Sequence, residues 1–180
     1  MKRGFVIFGV ILLLFSNACT PNDTILYNHP KDFEDTILIH QSNNDLVTMS
    51  IFGGKLEPFN GKEWYITAGK KNLITIVIEL CNLDENLWLK SINISTIDNP
   101  IIIEVLNHHN GKWENPNRDK PSFAVFQAQI YAPAFTVIET TFNISAEIVL
   151  VKEKKFLFST KKELLTTTLS ETVTTPVRVP

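Results

Sequence analysis

From Thr36 onward, short runs rich in Ile, Val, Leu, Thr, Phe and Tyr are separated by clusters of Gly, Asn, Asp and Pro. Ten of these runs read as strands: Thr36–His40, Leu46–Phe52, Trp64–Thr67, Leu73–Cys81, Leu87–Thr96, Ile101–Leu106, Phe123–Tyr131, Val137–Lys152, Phe156–Thr160 and Leu164–Leu169. In the fifth, apolar Leu87, Leu89, Ile92 and Ile94 interleave with polar Lys90, Ser91, Asn93 and Ser95. That near-twofold period belongs to a half-buried strand, whereas a helix would space its apolar residues by three and four. Asn60-Gly61 and Asn110-Gly111 mark tight turns, because a type I′ hairpin needs positive φ at both central residues.

The pattern predicts an all-β fold: a single β-sandwich of immunoglobulin-like architecture over residues 36–170, with residues 171–180 as a frayed C-terminal tail. The likeness is architectural only, since the Cys…Trp…Cys framework of antibody domains is missing. Laying residues 51–100 on 101–150 matches Asn60-Gly61-Lys62 with Asn110-Gly111-Lys112 and Asn93-Ile94-Ser95 with Asn143-Ile144-Ser145. An internal duplication would leave such a trace, and so would the recurring composition of turns and strands.

The N-terminus has a different pattern. Lys2 and Arg3 precede an uncharged apolar run, Phe5 to Phe15, followed by Ser16-Asn17-Ala18 and Cys19. This is the layout of a secretory signal peptide, residues 1–18. Eleven residues at about 1.5 Å each reach about 16 Å, roughly half of a hydrocarbon core, so the run suits cleavage better than permanent spanning. Thr20 to Asp35 is polar, contains Pro21 and Pro30, and reads as a tether.

With Ala18 directly before Cys19, the first twenty residues resemble those of a bacterial lipoprotein. In that family a small residue before the Cys marks the point of cleavage and acylation; the departure here is Ser16, where the usual motif carries Leu. The resemblance implies lipidation of Cys19, residues 19–35 as the acylated Cys and its tether, and membrane anchoring through the N-terminal lipid. With Thr20 and not Asp after the Cys, it also implies outer-membrane delivery in a Gram-negative host. Ser16 and Ala18 equally satisfy the small-x-small rule of ordinary signal peptidase. The alternative is therefore a soluble secreted domain in which Cys19 pairs with Cys81, the only other cysteine, in a disulfide. Cys81 itself, ending the apolar run ITIVIELC, reads as a small buried core residue.

Charge narrows the partners. The chain has 17 Lys plus Arg against 19 Asp plus Glu, and no basic cluster beyond the pairs Lys70-Lys71, Lys154-Lys155 and Lys161-Lys162. Nucleic acid is excluded as an expected partner. Loss of residues 1–18 removes Lys2 and Arg3 and leaves a formal charge of −4.

The segment with most chemical potential is Asn107 to Pro121, a polar loop by this reading. It contains the His108-His109 pair, with Glu104, Glu114 and Asp119 near in sequence. Adjacent strand-end residues diverge and no His-x-x-x-His or Cys-x-x-Cys spacing supports them, so no metal and no cofactor is expected. Trp64 and Trp113 flank the two Asn-Gly turns and, exposed together beside His108 and His109, would form a speculative saccharide- or peptide-binding platform; Trp88 reads as core. No catalytic signature is present, and the chain is expected not to be an enzyme. The leading expectation is a cell-envelope lipoprotein acting as a protein-binding or structural module. Its partner, another envelope protein, would add a strand at Phe156–Thr160 or Leu164–Leu169.

Overall fold

The computed structural model describes residues 35–81, 84–96, 102–110, 120–134 and 138–180. Nine strands make up the fold: β1 (Thr36–Asn43), β2 (Val47–Gly54), β3 (Ile66–Thr67), β4 (Lys71–Leu80), β5 (Leu87–Thr96), β6 (Ile102–Asn110), β7 (Phe123–Tyr131), β8 (Glu139–Phe156) and β9 (Ser159–Arg178). They form a five-stranded sheet in the order β1-β2-β4-β7-β6 and a four-stranded sheet in the order β3-β9-β8-β5. Every pairing is antiparallel except that of β3 with β9. The chain is thus an all-β sandwich, and no helix among the described residues is long and apolar enough to cross a membrane.

The two sheets meet on alternate residues. From one side come Val47, Met49 and Ile51 of β2, Ile74, Ile76, Ile78 and Leu80 of β4, and Ala124, Phe126, Ala128 and Ile130 of β7. From the other come Phe142, Ile144, Ala146, Ile148 and Leu150 of β8, with Leu169 and Val173 of β9. Five consecutive inward positions on β8 keep strict period two, as a strand with one core face requires.

In β5, Leu87 and Leu89 have odd parity and Ile92 and Ile94 even, yet all four pack against this core. The register explains how: Leu89 pairs with Leu150 and Ser91 with Val149, so Lys90 is an extra, bulged residue that resets the phase. A bulge at Ile39 in β1 lies between the pairs Leu38–Phe52 and His40–Ile51.

Part of the outer face of the five-stranded sheet, around the Leu80 end of β4, is also withdrawn from water. Val77, Phe123 and Val125 form a second buried cluster with Phe52 against it, and Thr48, Ser50 and Glu79 are buried. This is why the ITIVIEL run lacks a polar alternation: both faces of β4 are covered.

Three expectations are corrected. Phe156–Thr160 is not a strand but the tip of the β8–β9 hairpin, where Phe156 faces Ser159 across Leu157-Phe158. Residues 171–180 are not a frayed tail, for β9 continues to Arg178, laddered to β8 as far as Pro176 and to β3 at Val177 and Arg178. Burial of Val173 and Val177 holds that end in place. Asn107 to Asn110 belong to β6, paired with β7 from Gln127 to Ala124, so the polar loop cannot begin before residue 111.

Gly53 marks a close approach: a methyl group at its Cα would overlap the indole of Trp64, which is packed in the core. Gly53→Ala is expected to lower stability by about 1–3 kcal/mol through overpacking. In urea unfolding this would show as a lower midpoint with an unchanged slope.

Candidate functional site

The proposed aromatic platform does not assemble. Trp64 is 7% exposed and belongs to the inter-sheet core, so it cannot present a stacking face to a ligand. The physical reason is that Gly53 leaves room for the ring to fold inward over β2. Trp113 and Cys19 lie outside the described residues. His108 and His109 sit in β6 opposite Phe126 and Val125. Among the described residues, no three His, Cys, Asp or Glu side chains gather closely enough to hold a metal ion.

Cys81 follows β4. Its amide donates to Leu46 O, and its sulfur lies 3.3 Å from Asn44 O and 3.6 Å from Thr48 Oγ1. It is half-buried at the end of that strand.

The unusual part of the molecule is the β8–β9 ribbon. β5 accompanies β8 only as far as the pair Leu87–Lys152, beyond which β8 and β9 continue alone to the pair Phe156–Ser159. At the tip Phe156 is 59%, Leu157 94% and Phe158 99% exposed. Behind it stand Lys152, Lys154, Lys155, Lys161 and Lys162, with Glu153 and Glu163. Lys154 lies directly opposite Lys161, an unfavourable like-charge pair. Part of this charge is neutralised locally, Lys154 Nζ reaching Glu163 Oε2 at 2.7 Å and Lys162 Nζ reaching Glu153 Oε1 at 3.6 Å.

At the ribbon's base the charges form a shelf over Trp88. This residue is buried, at 8% exposure, as the core reading expected, but it lies outside the inter-sheet cluster. It has opposite parity to Leu87 and Leu89, pairs with Val151, and is covered by Lys120 and Lys162, whose ammonium groups stand 4.6 and 5.5 Å from its ring centroid. Lys120 Nζ donates to Glu153 Oε2 at 2.8 Å and to Glu85 O at 3.2 Å. One carboxylate therefore fixes two cations on one aromatic face. The hydrogen bond from Lys120, with the charges of Lys120 and Lys162, holds the Glu153 carboxyl below the ordinary glutamate value. Lys154 does the same for Glu163.

β9 also carries a long open edge. Only Val177 and Arg178 pair with β3, so from Ser159 to Pro176 no strand among the described residues ladders to its outer side. Lys161 and Lys162 near the tip and Pro176 at the far end are residues that commonly guard edges, but Leu164 to Thr175 contains neither Lys nor Pro. β1 approaches this strand through side chains, His40 Nε2 lying 3.2 Å from Glu171 Oε2 and Asn44 Nδ2 donating to Thr167 Oγ1 at 2.9 Å.

The ribbon was readable in principle. The order Lys-Glu-Lys-Lys, three apolar residues, Ser-Thr-Lys-Lys-Glu is nearly palindromic, as a hairpin with cross-strand charge pairs would be. The Trp88 shelf was not, because it depends on the β5–β8 register. Comparison of the chain with protein families, curated proteins and solved structures gives no match.

The shelf gives a pH-dependent signal. Because the folded-state pKa of Glu153 is depressed, its ion pairs are complete above the ordinary glutamate value and are lost as pH falls through the lowered one. The Trp88 contribution to emission, isolated by difference from Trp88→Phe, is expected to change on acidification below that ordinary value. Glu153→Gln should abolish the transition.

Proposed function

We propose that this chain is an exported, non-enzymatic cell-envelope lipoprotein, held to the membrane by an acyl group on Cys19 and presenting its sandwich to another envelope protein. The Lys2-Arg3 start, the apolar run to Phe15 and Ala18-Cys19 support export and acylation. Two or three acyl chains would anchor it without a basic patch. The observation that carries the binding role is the edge of β9 from Leu164 to Thr175, which no strand among the described residues ladders and whose backbone groups can receive a partner strand by β-augmentation. Thr20 after the Cys supports the outer membrane as destination in a Gram-negative host.

We also read the sandwich as immunoglobulin-like. The order β2-β4-β7-β6 follows that of strands A, B, E and D, and β5-β8-β9 that of C, F and G, with β1 added outside β2. The order supports an architecture used widely as a binding scaffold and does not by itself assign a ligand.

A second reading, a soluble secreted saccharide- or peptide-binding domain, is favoured by one observation: Cys81 is half-buried and not enclosed in the core, so a disulfide with Cys19, the only other cysteine in the sequence, is open to it. A disulfide and an acyl thioether at Cys19 exclude each other. Intact-mass spectrometry of protein from its native host separates them. The lipoprotein gives a chain starting at Cys19 that is heavier by a diacylglyceryl or triacyl group. An unlipidated chain that takes up two alkyl groups only after reduction would replace the first reading by the second.

A further inference from the structure

We infer that the β8–β9 tip is a membrane-contacting finger that inserts Phe156, Leu157 and Phe158 into the anionic face of a lipid bilayer. The inference concerns a different part of the molecule from Cys19 and does not rest on its acylation.

Three observations converge on the tip. First, Leu157 and Phe158 occupy the two central positions of a two-residue hairpin loop, where backbone geometry ordinarily selects Asn, Asp or Gly. Asn60 is the one non-glycine residue with positive φ among those described, so the turn is not the type I′ form that gives such loops their usual twist. Neither turn chemistry nor packing accounts for these two side chains, which are almost wholly in water.

Second, five of the chain's fourteen lysines fall within residues 152–163, in a molecule that is acidic overall. Lys154 and Lys161 oppose each other across the ribbon, and among the described residues Lys155 and Lys161 have no carboxylate within ion-pair distance. Concentrating like charge on a two-stranded ribbon disfavours its pairing, and a negatively charged surface relieves that repulsion.

Third, the apolar group is convex, projects at the end of the ribbon, and is collared by cations on both strands. Aromatic and aliphatic side chains ahead of lysines match the layered chemistry of a bilayer, acyl boundary first and anionic headgroups behind it.

The geometry also constrains how the domain would stand. The bonds His40–Glu171 and Asn44–Thr167 run β1 antiparallel to β9, so the Asn44 end of β1 points toward the tip and the Thr36 end away from it. From the level of Thr36 to the tip is some seventeen strand residues, about 55 Å at 3.3 Å per residue. The sixteen residues from Thr20 to Asp35 span at most about the same distance. A finger and an N-terminal lipid in one bilayer would therefore require the domain to lean toward the membrane.

The test uses the chain from residue 19 with Cys19→Ser, which can carry neither acyl group nor disulfide at that position. It is sedimented with vesicles of phosphatidylcholine containing about one-third phosphatidylglycerol. Expected is binding that weakens at least tenfold in the double variant Leu157→Ser/Phe158→Ser and on raising salt to about 0.5 M, where screening shortens to a few ångströms. Both substituted residues are in solvent, so the variant should unfold at the unchanged temperature, which excludes misfolding as the cause. Phe158→Trp should give emission that shifts to the blue on addition of the same vesicles. Absence of binding to the anionic vesicles, or binding that the double variant leaves intact, would overturn the inference; the finger would then be a contact for protein.

Discussion

The apolar layer between the two sheets is the constraint on which the rest depends. β8 sets its phase: Phe142, Ile144, Ala146, Ile148 and Leu150 present an unbroken inward row that β4 meets with Ile74, Ile76, Ile78 and Leu80. A one-residue slip on either strand would turn the row outward, so neighbouring strands must keep phase with it. β5 does so only because Lys90 bulges out and brings Ile92 and Ile94 back to the side of Leu87 and Leu89. Trp88, between the inward Leu87 and Leu89, faces the other way, where the ammonium groups of Lys120 and Lys162 stand over its ring.

From that layer follows the asymmetry of the molecule. β8 and β9 are 18 and 20 residues long, against 10 for β4 and β5. The excess cannot be buried, because the pairing of β5 with β8 stops at the pair Leu87–Lys152. The surplus becomes a free ribbon at one end and, among the described residues, an unladdered edge along β9. On the outer face of the larger sheet, Thr48, Ser50 and Glu79 are buried beside Val77, Phe123 and Val125.

How much was legible differs from element to element. β5 and β7 fall where hydrophobic runs bounded by turn residues place them, and the two-sheet architecture follows from strand number and spacing. The Trp64 platform failed because a turn-flanking aromatic looks the same in sequence whether it folds inward or outward; the absence of a side chain at Gly53 decides the matter.

By itself the sequence determined the quantities that are local or additive: strand class from period two, the charged, apolar and small-residue order of the first nineteen positions on which the proposal of export rests, and the lack of a polybasic signature for nucleic acid. Only the tertiary structure decided which lysines share a surface, which tryptophans are covered and which strand is left with an open edge. Those outcomes depend on register and on where neighbouring strands stop, and both are fixed by side chains far apart in the chain packing into one layer.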